Sequence, residues 1–251
     1  MWSPDILPGF FVSIYTKIIS ILANMISKRV KGRGAQIQLP NPFESNYLSQ
    51  DIPEGVDDWS GEKLNTKIFI EHPKSILSKN NSPDIPFEYS INPYQGCEHG
   101  CIYCYARNSH NYWGFNSAQD FESRIIVKKN ADTLLRNEFR KKSWKPKHVV
   151  LSGNTDCYQP LERKWKITRR LLQVFQDHRN PVGIITKNAL ITRDIDILQE
   201  LATKQLIRVI FSITSLEEKV RRQMEPRTSG VKMKLKAIKQ LNEVNVPVSI
   251  L

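Results

Sequence analysis

Three cysteines within eight residues, Cys97, Cys101 and Cys104, are the side chains of this sequence best suited to chemistry. They lie in the run Asn92-Pro-Tyr-Gln-Gly-Cys97-Glu-His-Gly-Cys101-Ile-Tyr-Cys104-Tyr-Ala-Arg107, with the spacing C-x3-C-x2-C. A disulfide framework would spread its cysteines, so so tight a group points to metal binding in a reducing compartment. Three thiolates on one loop can each bind one iron of a cubic four-iron cluster and leave the fourth iron open. An open iron has no use in simple electron transfer, but it can chelate a substrate. Gly96 and Gly100 let the loop wrap closely around a bulky group. A structural zinc site is the competing reading, with Cys97, His99, Cys101 and Cys104 as four ligands of suitable type. Zinc motifs usually present paired ligands across a longer spacer, and the ferredoxin order C-x2-C-x2-C-x3-C is absent.

Such a loop needs a frame, and the sequence alternates around it. Residues 31–86 read mostly as connecting segment, with turn signals at 31–34, 39–43, 52–55 and 80–86 and a short strand at 66–71. Strands are predicted at 87–92, 148–152, 182–186, 207–213 and 246–251, with a small extra strand at 124–127. Helices are predicted between them. The first is capped by Asn130 and carries Leu134, Leu135 and Phe139. The next span 167–178, 193–203 and 232–244, the last with Met233, Ala237, Ile238 and Leu241 inward. Alternating strands and helices imply a parallel sheet with right-handed crossovers. The expected fold is α/β, a partial TIM-like (β/α) barrel with its site at the C-terminal strand ends. The chain stops within the last predicted strand, so the barrel is expected to be truncated at its C-terminus. The expected organisation is an extension at 1–30, a lead-in at 31–86 and an incomplete core at 87–251.

C-x3-C-x-aromatic-C after the first strand of such a series resembles the radical S-adenosylmethionine (radical SAM) superfamily. Within it, GCEHGCIYCYAR resembles the spore photoproduct lyase-like branch, whose members are often labelled DNA repair photolyases. KGRGA at 31–35 is similar to an uncharacterised bacterial subgroup of that branch. The resemblance implies a [4Fe-4S] cluster on Cys97, Cys101 and Cys104, with S-adenosylmethionine chelating the open iron. It implies reductive cleavage of the S–C5′ bond to a 5′-deoxyadenosyl radical that takes hydrogen from a substrate. It also implies an electron donor such as flavodoxin or ferredoxin.

Residues after the strands fit that picture. Tyr103 matches the aromatic position beside the adenine. Thr155 and Asp156, in the polar run SGNTDCYQP, are candidates for S-adenosylmethionine contact, against a capped βα turn as the alternative. Lys187 ends the third strand, where the resemblance implies pairing with the S-adenosylmethionine carboxylate; helix starts otherwise disfavour cations. Ser212 resembles a ribose-contacting serine. Arg227, in Glu225-Pro226-Arg227, is placed to meet an acidic substrate or to sit in a plain loop. Cys157 lies near the position of the hydrogen-donating cysteine of spore photoproduct lyases. The match falls closer to Gly153, so Cys157 reads as a buried thiol first and as a displaced donor second.

The 251 residues carry 37 Lys and Arg against 25 Asp and Glu, a formal net charge of +12. That excess suits nucleic acid or a plain solvated basic surface. Residues 9–27 are apolar but broken by Lys17, too short in each run to span a membrane and without a signal-peptide layout. They suit an amphipathic helix with Ile14, Ile18, Ile21, Leu22 and Met25 on one face. No clear membrane association follows, and free thiols with an oxygen-sensitive cluster point to the cytoplasm. A non-catalytic module, holding zinc or an inert cluster and recruiting nucleic acid, is the alternative function.

Overall fold

The computed structural model describes residues 32–36, 39, 65–85 and 87–251. The extension 1–30, with its apolar segment, and the turn signals at 52–55 lie outside the described residues. All described residues belong to one of the two compact units of the chain.

Nine strands are formed among them: β1 (Lys67–Glu71), β2 (Leu77–Lys79), β3 (Tyr89–Ile91), β4 (Tyr94–Gln95), β5 (Arg124–Lys128), β6 (Val149–Leu151), β7 (Val182–Thr186), β8 (Ile207–Phe211) and β9 (Val248–Ile250). The α-helices are α1 (Gln119–Ser123), α2 (Ala131–Phe139), α3 (Glu162–Trp165), α4 (Ile167–Asp177), α5 (Ile195–Thr203), α6 (Glu218–Met224) and α7 (Val231–Glu243). Two 3-10 helices, Tyr105–Trp113 and Ala189–Asp194, complete the set.

The main sheet has the order β2-β3-β6-β7-β8-β9 and is parallel except for the antiparallel edge strand β2. This open (β/α) arrangement is a partial barrel, as the alternating pattern predicts. A second, small sheet runs β1-β5-β4. Its outer strand β1 pairs with β5 in parallel over five residue pairs, so the lead-in supplies sheet structure to the core.

The central strands bury both faces and therefore read as unbroken apolar runs, VVL in β6 and VGIIT in β7. Helix α4 buries Ile167, Leu171, Leu172 and Phe175 against the sheet, each contributing about 1.5–3 kcal/mol by leaving water. Its first amides are capped by Glu162, whose Oε2 accepts from Ile167 N at 2.9 Å and Thr168 N at 3.2 Å.

Three local expectations change. Asn130 precedes α2, but its φ of −97° and ψ of 19° already turn with the helix, and its side chain makes no capping bond. The helix predicted at 193–203 is a 3-10 turn followed by α5. Asn188 starts that turn by accepting from Leu190 N at 3.0 Å. In α7 the inward stripe is Val231, Lys234, Ala237 and Leu241, while Met233 is exposed. A lysine holds the core-facing position because a carboxylate waits for it inside.

Candidate functional site

The cysteine loop follows β4, beyond the C-terminal end of β3 in the main sheet. Gly96 has φ +78°, and a Cβ there would stand 2.9 Å from both Ile125 Cδ1 and Phe121 O. Cys97 N donates to Phe121 O at 2.8 Å. Gln159, fully buried, grips the loop on both sides of Cys97: Glu98 N donates to its Oε1 at 2.9 Å, and its Nε2 donates to Gly96 O at 3.1 Å. Ile102 N donates to Met224 O at 3.0 Å, and Arg227 N to His99 O at 3.2 Å.

A second clamp centres on Glu122 of α1, which is fully buried. Its Oε1 accepts from Arg107 Nη2 at 2.6 Å and from Ala35 N at 2.6 Å, and its Oε2 from Gly34 N at 2.9 Å. Arg33 donates to the Glu122 carbonyl. Arg107 also donates to Cys101 O at 2.8 Å. The RGA part of KGRGA is thus a brace laid across the loop. Gly34 approaches so closely that a Cβ would fall 1.7 Å from Gly100 O.

Cys97 and Cys101 are buried and Cys104 is half-buried. Burial raises all three thiols above their ordinary pKa, with Asp156 adding to the effect at Cys97 and Glu225 at Cys101, which reaches about 12. Three neighbouring thiolates are stable here only beside compensating positive charge, which a bound iron cluster supplies. The donor set and the glycine-lined loop fit that group. Among the described residues no three His, Cys, Asp or Glu side chains converge as a single-ion site. Cluster thiolates each bind a different iron and need not converge. His99, the fourth ligand of the zinc reading, has its Nε2 3.2 Å from Asn188 Nδ2, and its buried Nδ1, which makes no hydrogen bond, 3.4 Å from Asp156 Oδ2.

Tyr103, Lys187 and Ser212 come together beside the loop. Lys187 donates to Ser212 Oγ, lies 5.7 Å from the Tyr103 ring centre and 3.7 Å from Glu225 Oε1. Tyr103 OH donates to Glu225 and lies 2.8 Å from Thr214 Oγ1. Glu225 also accepts from Thr214 Oγ1 at 2.5 Å, from Thr228 Oγ1 at 3.2 Å and from the buried Lys234 Nζ at 2.9 Å. Asp156 joins the strand ends: it accepts from Thr186 Oγ1 at 2.9 Å, Lys187 N at 2.8 Å and Tyr158 N at 2.8 Å. Its carboxylate is therefore occupied within the protein.

Thr155 is nearly fully buried, and its hydroxyl donates to Tyr94 O at 2.6 Å. That places it in the scaffold under the loop. Cys157 lies in the main apolar core with no exposure. Arg227 is 3.5 Å from Glu98 Oε1. Sequence reasoning missed Glu122, Gln159 and Lys234. The one local signal among them was Lys234, a charge at a position of the helix that the apolar spacing turns inward.

The sequence profile of the Radical SAM superfamily matches residues 91–251. The chain belongs to the radical SAM superfamily. This radical SAM chain is 34% identical over 166 residues to an uncharacterized protein of Mycobacterium tuberculosis, covering 66% of this chain and 49% of that one. It is 29% identical over 180 residues to an uncharacterized protein of Methanocaldococcus jannaschii, covering 72% and 65%. It therefore spans about half the length of the mycobacterial relative. Among solved structures it is similar to a substituted form of spore photoproduct lyase, at TM-score 0.57 and 15% identity, covering 81% of this chain and 56% of that one. A doubly substituted form of that lyase with bound AdoMet and dinucleoside spore photoproduct matches at TM-score 0.57 and 14% identity, with the same coverage. At these identities the likeness is one of fold. No helix among the described residues is long and apolar enough to cross a membrane.

Proposed function

We propose that this chain is a radical SAM enzyme that holds a [4Fe-4S] cluster on Cys97, Cys101 and Cys104 and cleaves S-adenosylmethionine reductively. The observation that carries the proposal is the braced C-x3-C-x2-C loop, with Cys97 and Cys101 buried and Cys104 half-buried at the C-terminal end of a parallel sheet beside Tyr103, Lys187 and Ser212. Held by Cys97, Cys101 and Cys104, such a cluster would supply the electron for reductive cleavage of S-adenosylmethionine, with methionine as the leaving group and hydrogen abstraction from a substrate as the outcome.

The chain's own residues bind and orient. An ammonium has three donors. Lys187 donates to Ser212 and lies 3.7 Å from Glu225 Oε1, which leaves a donor for the carboxylate of S-adenosylmethionine. Tyr103, fixed through its hydroxyl, offers a ring face for the adenine, and Ser212 a hydroxyl for the ribose. Asp156 acts by positioning, since it ties the backbone of Lys187 to the end of β6. Nucleic acid is the proposed substrate class. Support comes from the +12 charge and from the likeness to a lyase solved with a dinucleoside photoproduct. Flavodoxin or ferredoxin is the proposed electron donor, and the cytoplasm the proposed compartment.

The deciding measurement is the EPR spectrum of anaerobically reconstituted, reduced protein with and without S-adenosylmethionine. A four-iron signal that shifts on addition is expected. An unshifted signal contradicts cofactor binding by this chain, and zinc without sulfide would favour the binding-module alternative.

Cys157 gives a companion test. Cys157→Ala is expected to destabilise the fold by about 1–2 kcal/mol through lost packing and to leave 5′-deoxyadenosine formation unchanged per folded molecule. A folded variant that cleaves S-adenosylmethionine but yields a different substrate product would restore the hydrogen-donor role.

A further inference from the structure

The basic side chains are unevenly compensated at the opposite end of the sheet. Segment 136–147 carries Arg136, Arg140, Lys141, Lys142, Lys145 and Lys147 against the single acid Glu138. The acids that pair with this segment are taken up by three of its other cations: Glu138 by Lys141 at 2.6 Å, Asp177 by Arg136 at 2.8 Å and Glu88 by Lys147 at 2.6 Å. Arg140, Lys142 and Lys145 are exposed and have no ion-pair partner among the described residues, and neither has the nearby Arg179.

This loop is built to hold its shape. Trp144 packs between Phe139, at 5.1 Å between ring centres, and Tyr89, at 5.3 Å. Its Nε1 donates to Asn180 Oδ1 at 3.1 Å, and Asn180 Nδ2 donates back to Lys147 O at 2.8 Å. The His178 ring lies 5.7 Å from Phe139, and the exposed Arg179 follows it in the chain. The loop leads into β6 and residues 178–181 lead into β7, so the cations gather at the N-terminal strand ends, away from the cysteine loop.

We propose that this face binds the phosphate backbone of a nucleic acid, as a surface separate from the cysteine-loop site. A cluster of unpaired ammonium and guanidinium groups on an anchored loop releases phosphate counterions on contact and needs no base-specific partner. A protein partner would be anchored by apolar or aromatic side chains. None of the exposed large apolar residues lies in segments 136–148 or 177–181. An electron donor must reach the cysteine loop, at the other end of the sheet. The proposal stands whether or not the chain cleaves S-adenosylmethionine.

The test is fluorescence anisotropy of the full chain with labelled duplex DNA of about 20 base pairs, titrated over salt. R140A/K142A/K145A is compared with K219A/K232A/K236A, which removes three other exposed, unpaired cations and so matches the net charge. The loop variant is expected to bind at least about tenfold more weakly and to lower the log–log salt slope by about 2–3, with the control near wild type. Equal weakening in both variants, no weakening in the loop variant, or no DNA binding by wild type overturns the proposal. So does competition by polyglutamate as effective as by unlabelled DNA, which would assign the face to an acidic protein. Circular dichroism checks folding, and the single variants Lys142→Glu and Lys145→Glu carry the same comparison if the triple variant fails it.

Discussion

A Gly34→Ala variant is expected to lose both iron content and stability. The added Cβ would meet Gly100 O at 1.7 Å and Gly100 C at 2.9 Å, and backbone cannot swing aside as a side chain can. Either the cysteine loop deforms or the brace lifts off. If the brace lifts, the buried Glu122 loses the amides of Gly34 and Ala35, which donate at 2.9 and 2.6 Å. Hydrogen bonds to a buried charged group contribute about 1.5–3 kcal/mol each, so a loss of about 3 kcal/mol or more is expected in denaturant unfolding. Gly32→Ala is the comparison, because no atom lies within 4 Å of its would-be Cβ and only its φ of +76° opposes the change. It should cost about 1 kcal/mol and keep normal iron per chain. A Gly34→Ala protein with wild-type iron and wild-type unfolding would show that the brace does not support the loop.

Breaking the Glu225–Lys234 pair is expected to cost about 3–5 kcal/mol in Glu225→Gln, which leaves the buried Lys234 without a charge partner, and less in Lys234→Met, because Glu225 keeps Lys187, Tyr103, Thr214 and Thr228. Both side chains are essentially unexposed, 0% and 1%. Lys234→Met keeps the length and removes the charge; Glu225→Gln keeps the shape. In the combined variant much of the loss should return, since no uncompensated charge remains. Additive losses in that double-mutant cycle would mean that the two do not act as a pair.

The same carboxylate sets an acid limit. Burial alone would raise its pKa, but the donors Thr214, Tyr103 and Lys234 outweigh burial and bring it to about 2. A depressed carboxylate stabilises the fold fully above its unfolded value near 4.3, and that contribution drains away as pH falls from there towards 2. Wild type should therefore lose stability through this window more steeply than Glu225→Gln. Parallel acid-unfolding curves would contradict the assignment.

The frame of the site was open to sequence reasoning because it is written locally. VGIIT at β7 and the Ile167, Leu171, Leu172, Phe175 stripe of α4 are periodic signals that tertiary contacts reinforce. The cysteine spacing is equally local. The supports of the loop are not. Gln159 reaches back 61 residues to Glu98, and Glu122 reaches 88 residues to Gly34. A single Gln or Glu in a loop or short helix gives no sign of such a partner. Thr155 shows the converse: a polar residue at a strand end looks available for a ligand until its hydroxyl is found bonded to Tyr94 O. The two-residue strand β4 and the three-residue edge strand β2 are too short for any alternation to register.

The brace also fixes an order of events in synthesis. Arg33 and the Glu122 carbonyl that it holds are 89 residues apart. At ribosomal speeds the first waits roughly 4–18 seconds for the second to be made. All three cysteines are translated within that interval. The loop is therefore complete before its brace can close, and closure of so distant a contact belongs to the late, slow part of folding. Residues 33–35 can therefore settle against Glu122 only after the cysteine loop that they brace has been made.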